Sequence, residues 1–131
     1  MENSYPIKIK QQIVFGRDKT WLKSLQQKNN ILTLAVEIDF ENSSSQMNMI
    51  FEGLLFYSST ELDTYEKSKW SSSWLKSQSN FEIIQHSDLI KEQVKIRSDY
   101  NSQDFSHIRI STYDYIIDVI SKNYDLVEVI Q

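Results

Sequence analysis

The chain has 131 residues and a mass of 15.5 kDa, enough for one domain and small for two. Apolar residues make up 40% and charged residues 24%, with a formal charge of −4; a disordered chain is excluded and direct nucleic-acid binding is disfavoured. There is no cysteine, which excludes disulfides, thiolate catalysis and cysteine-ligated zinc.

No apolar run approaches the ~18 residues of a membrane span. The polar opening, residues 1–6, lacks the hydrophobic core of a secretory signal, so a cytoplasmic location is expected. Serine, isoleucine, lysine and asparagine are abundant, which suits an AT-rich bacterial genome. The only glycines, Gly16 and Gly53, lie too far apart to build a phosphate loop.

Residues 5–15 begin with alternation, Ile7 and Ile9 against Lys8 and Lys10, which predicts a half-buried strand. Asp18 can cap a helix running to about Lys28, with Trp21, Leu22 and Leu25 on one face and Asn29-Asn30 as its stop. Residues 31–41 are the clearest strand. Leu34, Val36, Ile38 and Phe40 fall on one face, and Ala35, Glu37, Asp39 and Glu41 on the other. After the polar turn at 42–46, residues 47–57 predict a second strand, with Gly53 as a bulge or close-packing point.

Residues 62–76 read as partly helical, with Trp70 and Trp74 four apart on one face. A short strand is expected at 81–85 and a helix capped by Ser87 after it. After a polar loop at 98–104, residues 105–111 form a strand, with His107 beside Arg109 on its surface. Residues 112–122 carry the strongest helix pattern: a Ser111 or Thr112 cap, then Tyr113, Ile116, Ile117 and Ile120 at i, i+3, i+4 and i+7. Residues 124–130 close the chain as a strand. The sum is a single α+β domain spanning residues 1–131, a mostly antiparallel sheet with two to four helices packed on one face or end. The last strand–helix–strand unit could place two parallel strands through a right-handed crossover.

Charge is uneven along the chain. Residues 1–30 hold six basic and two acidic groups. Residues 31–66 hold seven acidic groups, Glu37, Asp39, Glu41, Glu52, Glu61, Asp63 and Glu66, and no lysine or arginine. Carboxylates at alternate strand positions stand ~6.5–7 Å apart, too far to share a proton or grip one magnesium, but well spaced to meet separate cations on a partner. A wet sheet face also carries such charges without a function, and Lys8 and Lys10 could neutralise the row across strands.

Catalytic constellations are poorly supported. His86 and His107 fit no helical zinc motif, no G-x-S-x-G elbow exposes a serine, and no glutamate precedes lysine by two positions as in metal-dependent nucleases. No catalytic residue, metal ligand or cofactor is assigned. Trp70 and Trp74 suit either core packing or interface anchoring.

Two segments carry a resemblance. Residues 49–76, MIFEGLLFYSSTELDTYEKSKWSSSWLK, join a strand to a charged stretch and a W-x-x-S-W-L element. Residues 107–121, HIRISTYDYIIDVIS, run from a strand through T-Y-D into an apolar helix. Together, over about the C-terminal two thirds, they resemble small bacterial immunity proteins of toxin–immunity loci, contact-dependent inhibition systems included. The resemblance implies a non-enzymatic cytoplasmic protein, a monomer or homodimer, that binds a cognate toxin and blocks it. A basic nuclease domain is the partner type that the acidic segment suits. The expected partner-binding residues are the seven carboxylates with Trp70 and Trp74. The alternative is a small-ligand-binding or structural module with a pocket lined by tryptophan or tyrosine.

Overall fold

The computed structural model describes residues 2–67, 74, 76–97 and 99–129. Its core is one seven-stranded sheet: β1 (Asn3–Pro6), β2 (Thr20–Lys28), β3 (Ile31–Phe40), β4 (Ser43–Glu61), β5 (Phe81–Gln85), β6 (Ser106–Ser111) and β7 (Tyr115–Glu128). The strand order is β1-β5-β6-β7-β4-β3-β2, and every pairing is antiparallel. Among the described residues the helices with stated bounds are α1 (Leu62–Glu66) and α2 (Asp88–Ile96), with single 3₁₀ turns at Arg17–Lys19 and Ser102–Asp104. Strands hold 58% of the described residues and helices 17%, so the expected α+β class is corrected to a mainly β fold with one described helix longer than a turn and a half. No parallel crossover is present among the described residues.

Two expected helices are strands. Residues 20–28 form β2, joined to β3 by Asn29-Asn30, with Lys28 opposite Ile31 and Asn29 at φ 57°. The Asn-Asn pair is a hairpin turn, not a helix stop. A bulge between Leu22 and Ser24 breaks the alternation, so Leu22 and Leu25 both reach the core side although three apart. Residues 112–122 belong to the turn before β7 and to β7 itself. Thr112 Oγ1 accepts from Tyr115 N–H at 3.1 Å, the same three-residue reach that a helix cap uses, but here it closes a hairpin. Ile116 to Ile120 are all buried because both faces of β7 are covered, and a strand covered on both sides loses its alternation.

The strand expected over 5–15 is instead β1 (Asn3–Pro6) and a non-strand segment, residues 43–46 of the expected turn belong to β4, and the strand expected over 124–130 is the end of β7. Three expectations hold more closely. β3 turns Leu34, Val36 and Ile38 fully inward. β5, β6 and α2 lie within a residue of their expected places, and Ser87 Oγ accepts from Ile90 N–H at 3.1 Å as the cap of α2. Gly53 sits at φ +65° just before the register shift between Leu54 and Phe56.

The sheet is rolled. In a flat sheet β2 lies three spacings from β7, about 14 Å. Yet Tyr113 N–H, in the turn before β7, donates to Thr20 O at 2.8 Å. Residues 7–19 run across the mouth of the roll, with Ile9 and Val14 buried in the core beside Leu34, Met49, Phe81 and Ile110. The opposite face of β5, β6 and β7 carries α1, Trp74 and α2. There Leu89, Ile90 and Ile120 form a second, smaller apolar cluster with Phe56, Val94 and Phe105.

Gly53 is the position where the fold least tolerates a side chain. An added Cβ would stand 2.8 Å from Lys122 Cβ, on a backbone that L-residues rarely adopt. Gly53→Ala is expected to destabilise the protein by about 1–3 kcal/mol. A urea midpoint indistinguishable from wild type would contradict that reading of the bulge.

Candidate functional site

The segment between β1 and β2 builds the most exposed apolar surface near the acidic residues. Lys10 and Gln11 both take positive φ, 50° and 64°, and Ile9 and Gln12 exchange two backbone hydrogen bonds at 2.8 and 3.0 Å. This is a two-residue hairpin of the type that favours left-handed pairs. Lys10 Nζ fixes it from outside, 2.6 Å from Glu128 and 2.8 Å from Ser45 Oγ. Downstream, Val14 is buried while Ile13 and Phe15 stay 51% and 59% exposed. The Asn80 side chain then grips Gly16 at both ends, accepting from its N–H at 3.1 Å and donating to its carbonyl at 2.8 Å. Two bulky apolar side chains are thus held in water on anchored backbone.

Three adjoining hollows surround them. One, of about 250 Å³, is walled by Phe15, Leu62, Trp74 and Ile116. A second, of about 370 Å³, runs past Ile13 and Phe15 to Lys19, Asp39, Phe40 and Glu41. A third, of about 280 Å³, is bounded by Arg17, Glu61, Leu62, Asp63 and Asp114. Phe15 borders the first two, and Arg17 and Leu62 border the first and third. The result is an apolar trough with carboxylates at both ends. Among the described residues, no ion pair engages Asp39, Glu41, Glu61, Asp63 or Asp114. Arg17 lines the third hollow beside Glu61, Asp63 and Asp114 without pairing with them: its guanidinium stacks 4.6 Å from the Tyr113 ring centroid and donates to Tyr113 O at 2.8 Å.

Five of the expected partner-binding residues, Asp39, Glu41, Glu61, Asp63 and Trp74, meet at this trough. Glu37 does not. It lies on the outer face of β3, paired with Lys23 at 3.0 Å, and that lysine holds its carboxyl below the usual range. Glu52 faces solvent on β4, six residues beyond Gln46, which is Glu37's cross-strand partner; at ~3.4 Å per residue that is about 20 Å away. Trp70 and the side chain of Glu66 lie outside the described residues. Among the described residues Lys23, and not Lys8 or Lys10, pairs with Glu37, and it pairs with no other member of the row; Lys10 pairs with Glu128 instead. Ile13, Phe15, Arg17 and Asp114 are the trough residues that the sequence did not single out.

The covered face of the sheet holds a different cluster. Glu82, Arg109 and Asp118 stand directly across from one another on β5, β6 and β7. Arg109 is 1% exposed and donates to Glu82 Oε1 from Nη2 at 3.1 Å and Nε at 3.3 Å. Burial works to lower its pKa, but the Glu82 charge and its other neighbours carry it upward. Tyr65, from α1, closes over the group; burial, with the Asp118 charge behind it, pushes its phenol well above the ordinary range. Its ring meets Trp74 edge-on, centroids 5.9 Å apart, and Trp74 Nε1 donates to Ser111 Oγ at 3.1 Å. Trp74 therefore serves both the cluster and the trough.

His107, expected on a strand surface, is buried in this cluster. Its Nε2 lies 2.6 Å from Asp118 Oδ1, and its Nδ1 lies 2.7 Å from Ser87 Oγ. Because Ser87 Oγ accepts from Ile90 N–H, its own hydrogen is free to donate to Nδ1, which leaves the Nε2 proton facing Asp118. Serine, histidine and aspartate line up as in hydrolases, with the ring nitrogens exchanged relative to that template. Ser87 is 4% exposed, its oxygen caps α2, and Glu2 Oε2 accepts from the adjoining Asp88 N–H at 3.0 Å. The Ser87 bonds seat α2 on the sheet, and the His107–Asp118 bond ties β6 to β7 beneath it. No group of three or more His, Asp or Glu among the described residues could hold a metal ion.

Comparison with protein-family models, with curated proteins and with solved structures gives no match. No helix among the described residues is long and apolar enough to cross a membrane.

Two outcomes are expected for the buried cluster. Arg109→Met strands Glu82 in the interior and is expected to cost about 3–5 kcal/mol by denaturant titration; a loss below about 1 kcal/mol would remove the pair from its organising role. A fluorophosphonate probe is expected to leave Ser87 unlabelled by peptide mass spectrometry. An adduct on Ser87 would make the array a nucleophile.

Proposed function

We propose that the chain is a non-enzymatic, immunity-type binding protein of the bacterial cytoplasm, which neutralises a cognate toxin domain by covering its active or substrate-binding site. The observation that carries this reading is the trough, where exposed apolar side chains on anchored backbone stand between carboxylates without ion pairs. That is the composition of a protein interface, an apolar centre with a polar rim. Exposed apolar residues tied to rigid backbone lose little entropy on contact, which favours them as binding anchors. The unmatched carboxylates favour a cationic partner and speed its approach, an advantage that salt removes. A nuclease domain, with a basic cleft for its own substrate, suits that surface. Blocking is steric and electrostatic, and needs no chemistry from this chain.

A second reading, a small-ligand module, draws on the aromatic wall of the 250 Å³ hollow. A small molecule that raises the melting temperature in proportion to its occupancy would favour it.

The binding reading expects a basic protein to be encoded immediately upstream of this chain and is tested with that protein. That protein is expected to co-purify, and Asp39→Lys with Glu41→Lys is expected to weaken the complex at least about tenfold at low salt and flatten its salt dependence. Unchanged affinity and unchanged salt slope would overturn the electrostatic reading.

A further inference from the structure

Resting on the binding reading above, we propose that the trough takes one continuous segment of the partner chain. A bulky apolar side chain of that segment enters the Phe15–Trp74 hollow, and cationic side chains on either side of it reach Asp39 and Glu41 at one end and Glu61, Asp63 and Asp114 at the other.

The walls of the central hollow decide what enters it. Apart from the Arg17 guanidinium, whose Nε donates to Tyr113 O, their side-chain polar groups are already engaged within the protein. Trp74 Nε1 donates to Ser111 Oγ, the Asn80 amide serves Gly16 and Thr20, and the Thr112 hydroxyl donates to Tyr115 O at 2.8 Å. No buried side-chain nitrogen or oxygen among the described residues lacks a partner. Away from Arg17, a polar occupant would give up its hydration and find nothing to replace it, at a cost of about 1–3 kcal/mol per group. An apolar one gains by leaving water.

Size and shape decide the rest. About 250 Å³ falls below the ~300–1,000 Å³ of common small-molecule sites, and it suits a single large side chain. The hollow shares Phe15 with one neighbouring depression and Arg17 and Leu62 with the other, so a segment whose side chain fills it extends over both. At the middle, Arg17 is pinned to Tyr113 and repels a cation placed there. At the ends the carboxylates attract one, with Lys19 offsetting part of the charge beside Asp39 and Glu41. The order along the occupant is therefore cationic, apolar, cationic.

The test is selection of a phage-displayed random dodecapeptide library on the full chain at low salt. Enriched peptides are expected to share an aromatic or large aliphatic residue with lysine or arginine on both sides. Their synthetic forms are expected to lose affinity at least about tenfold on Phe15→Glu and on Asp39→Lys with Asp63→Lys, at two exposed positions and one half-buried one, with unchanged circular dichroism. Phe15→Ala, milder at the same place, is expected to lose less. Peptides without the cationic flanks, peptides that bind Phe15→Glu as well as wild type, or no enrichment at all would overturn the inference. If the upstream basic protein still co-purifies in that case, the binding reading stands and the segment inference alone falls.

Discussion

Asn80 holds the roll of the sheet closed, and the trough depends on that closure. Its side chain binds Gly16 N–H, Gly16 O and Thr20 Oγ1, its N–H donates to Val14 O at 2.7 Å, and its carbonyl accepts from Ser111 N–H at 2.8 Å. One 3%-exposed residue thus joins the segment before β2, the start of β2 and the end of β6. Each buried partner it satisfies would otherwise carry a desolvation cost of about 1–3 kcal/mol. Val14 and Gly16 are fixed by it on both sides of Phe15. The exposure of Phe15 follows from this anchoring, because the backbone on each side has no freedom to fold it inward.

Rolling also explains how residues far apart in sequence meet. Asp39 and Glu41 end β3, while Glu61 and Asp63 lie where β4 passes into α1. In the unrolled sheet these are opposite ends of a long β4, and only the closing segment at 13–17 bridges them. A second group of polar side chains is turned inward. Glu82, Arg109, Asp118, His107 and Ser87 satisfy one another beneath α1 and α2. A one-residue slip of β6 against β5 or β7 would part every one of those cross-strand contacts, so the cluster fixes the register on which the covered face is built.

Legibility in the sequence followed local physics. Strand β3 showed because one of its faces is dry and the other wet, and the start of α2 showed because a serine cap works within four residues. β2 was hidden by a bulge that resets alternation. β7 was hidden by its two covered faces and by a threonine turn that imitates a helix cap. The site was half legible. Asp39, Glu41, Glu61, Asp63 and Trp74 stand out by charge or ring size, but their meeting depends on the roll, which no local pattern encodes. Ile13 and Phe15 share the parity of Ile7 and Ile9 and so read as inward. The two left-handed residues at 10 and 11 reverse that phase, sending Val14 in and its neighbours out. His107 was misplaced for a related reason: alternation assigned it to the second face, and the helices that cover that face come from elsewhere in the chain.

The most direct measurement is hydrogen–deuterium exchange of the full chain alone and in complex with the basic protein encoded upstream. Slowed exchange at residues 12–17, 39–41 and 61–65 is the result predicted for a partner seated in the trough. Slowing confined to α2 and the loop that follows it, with those three segments exchanging as in the free protein, would contradict the account.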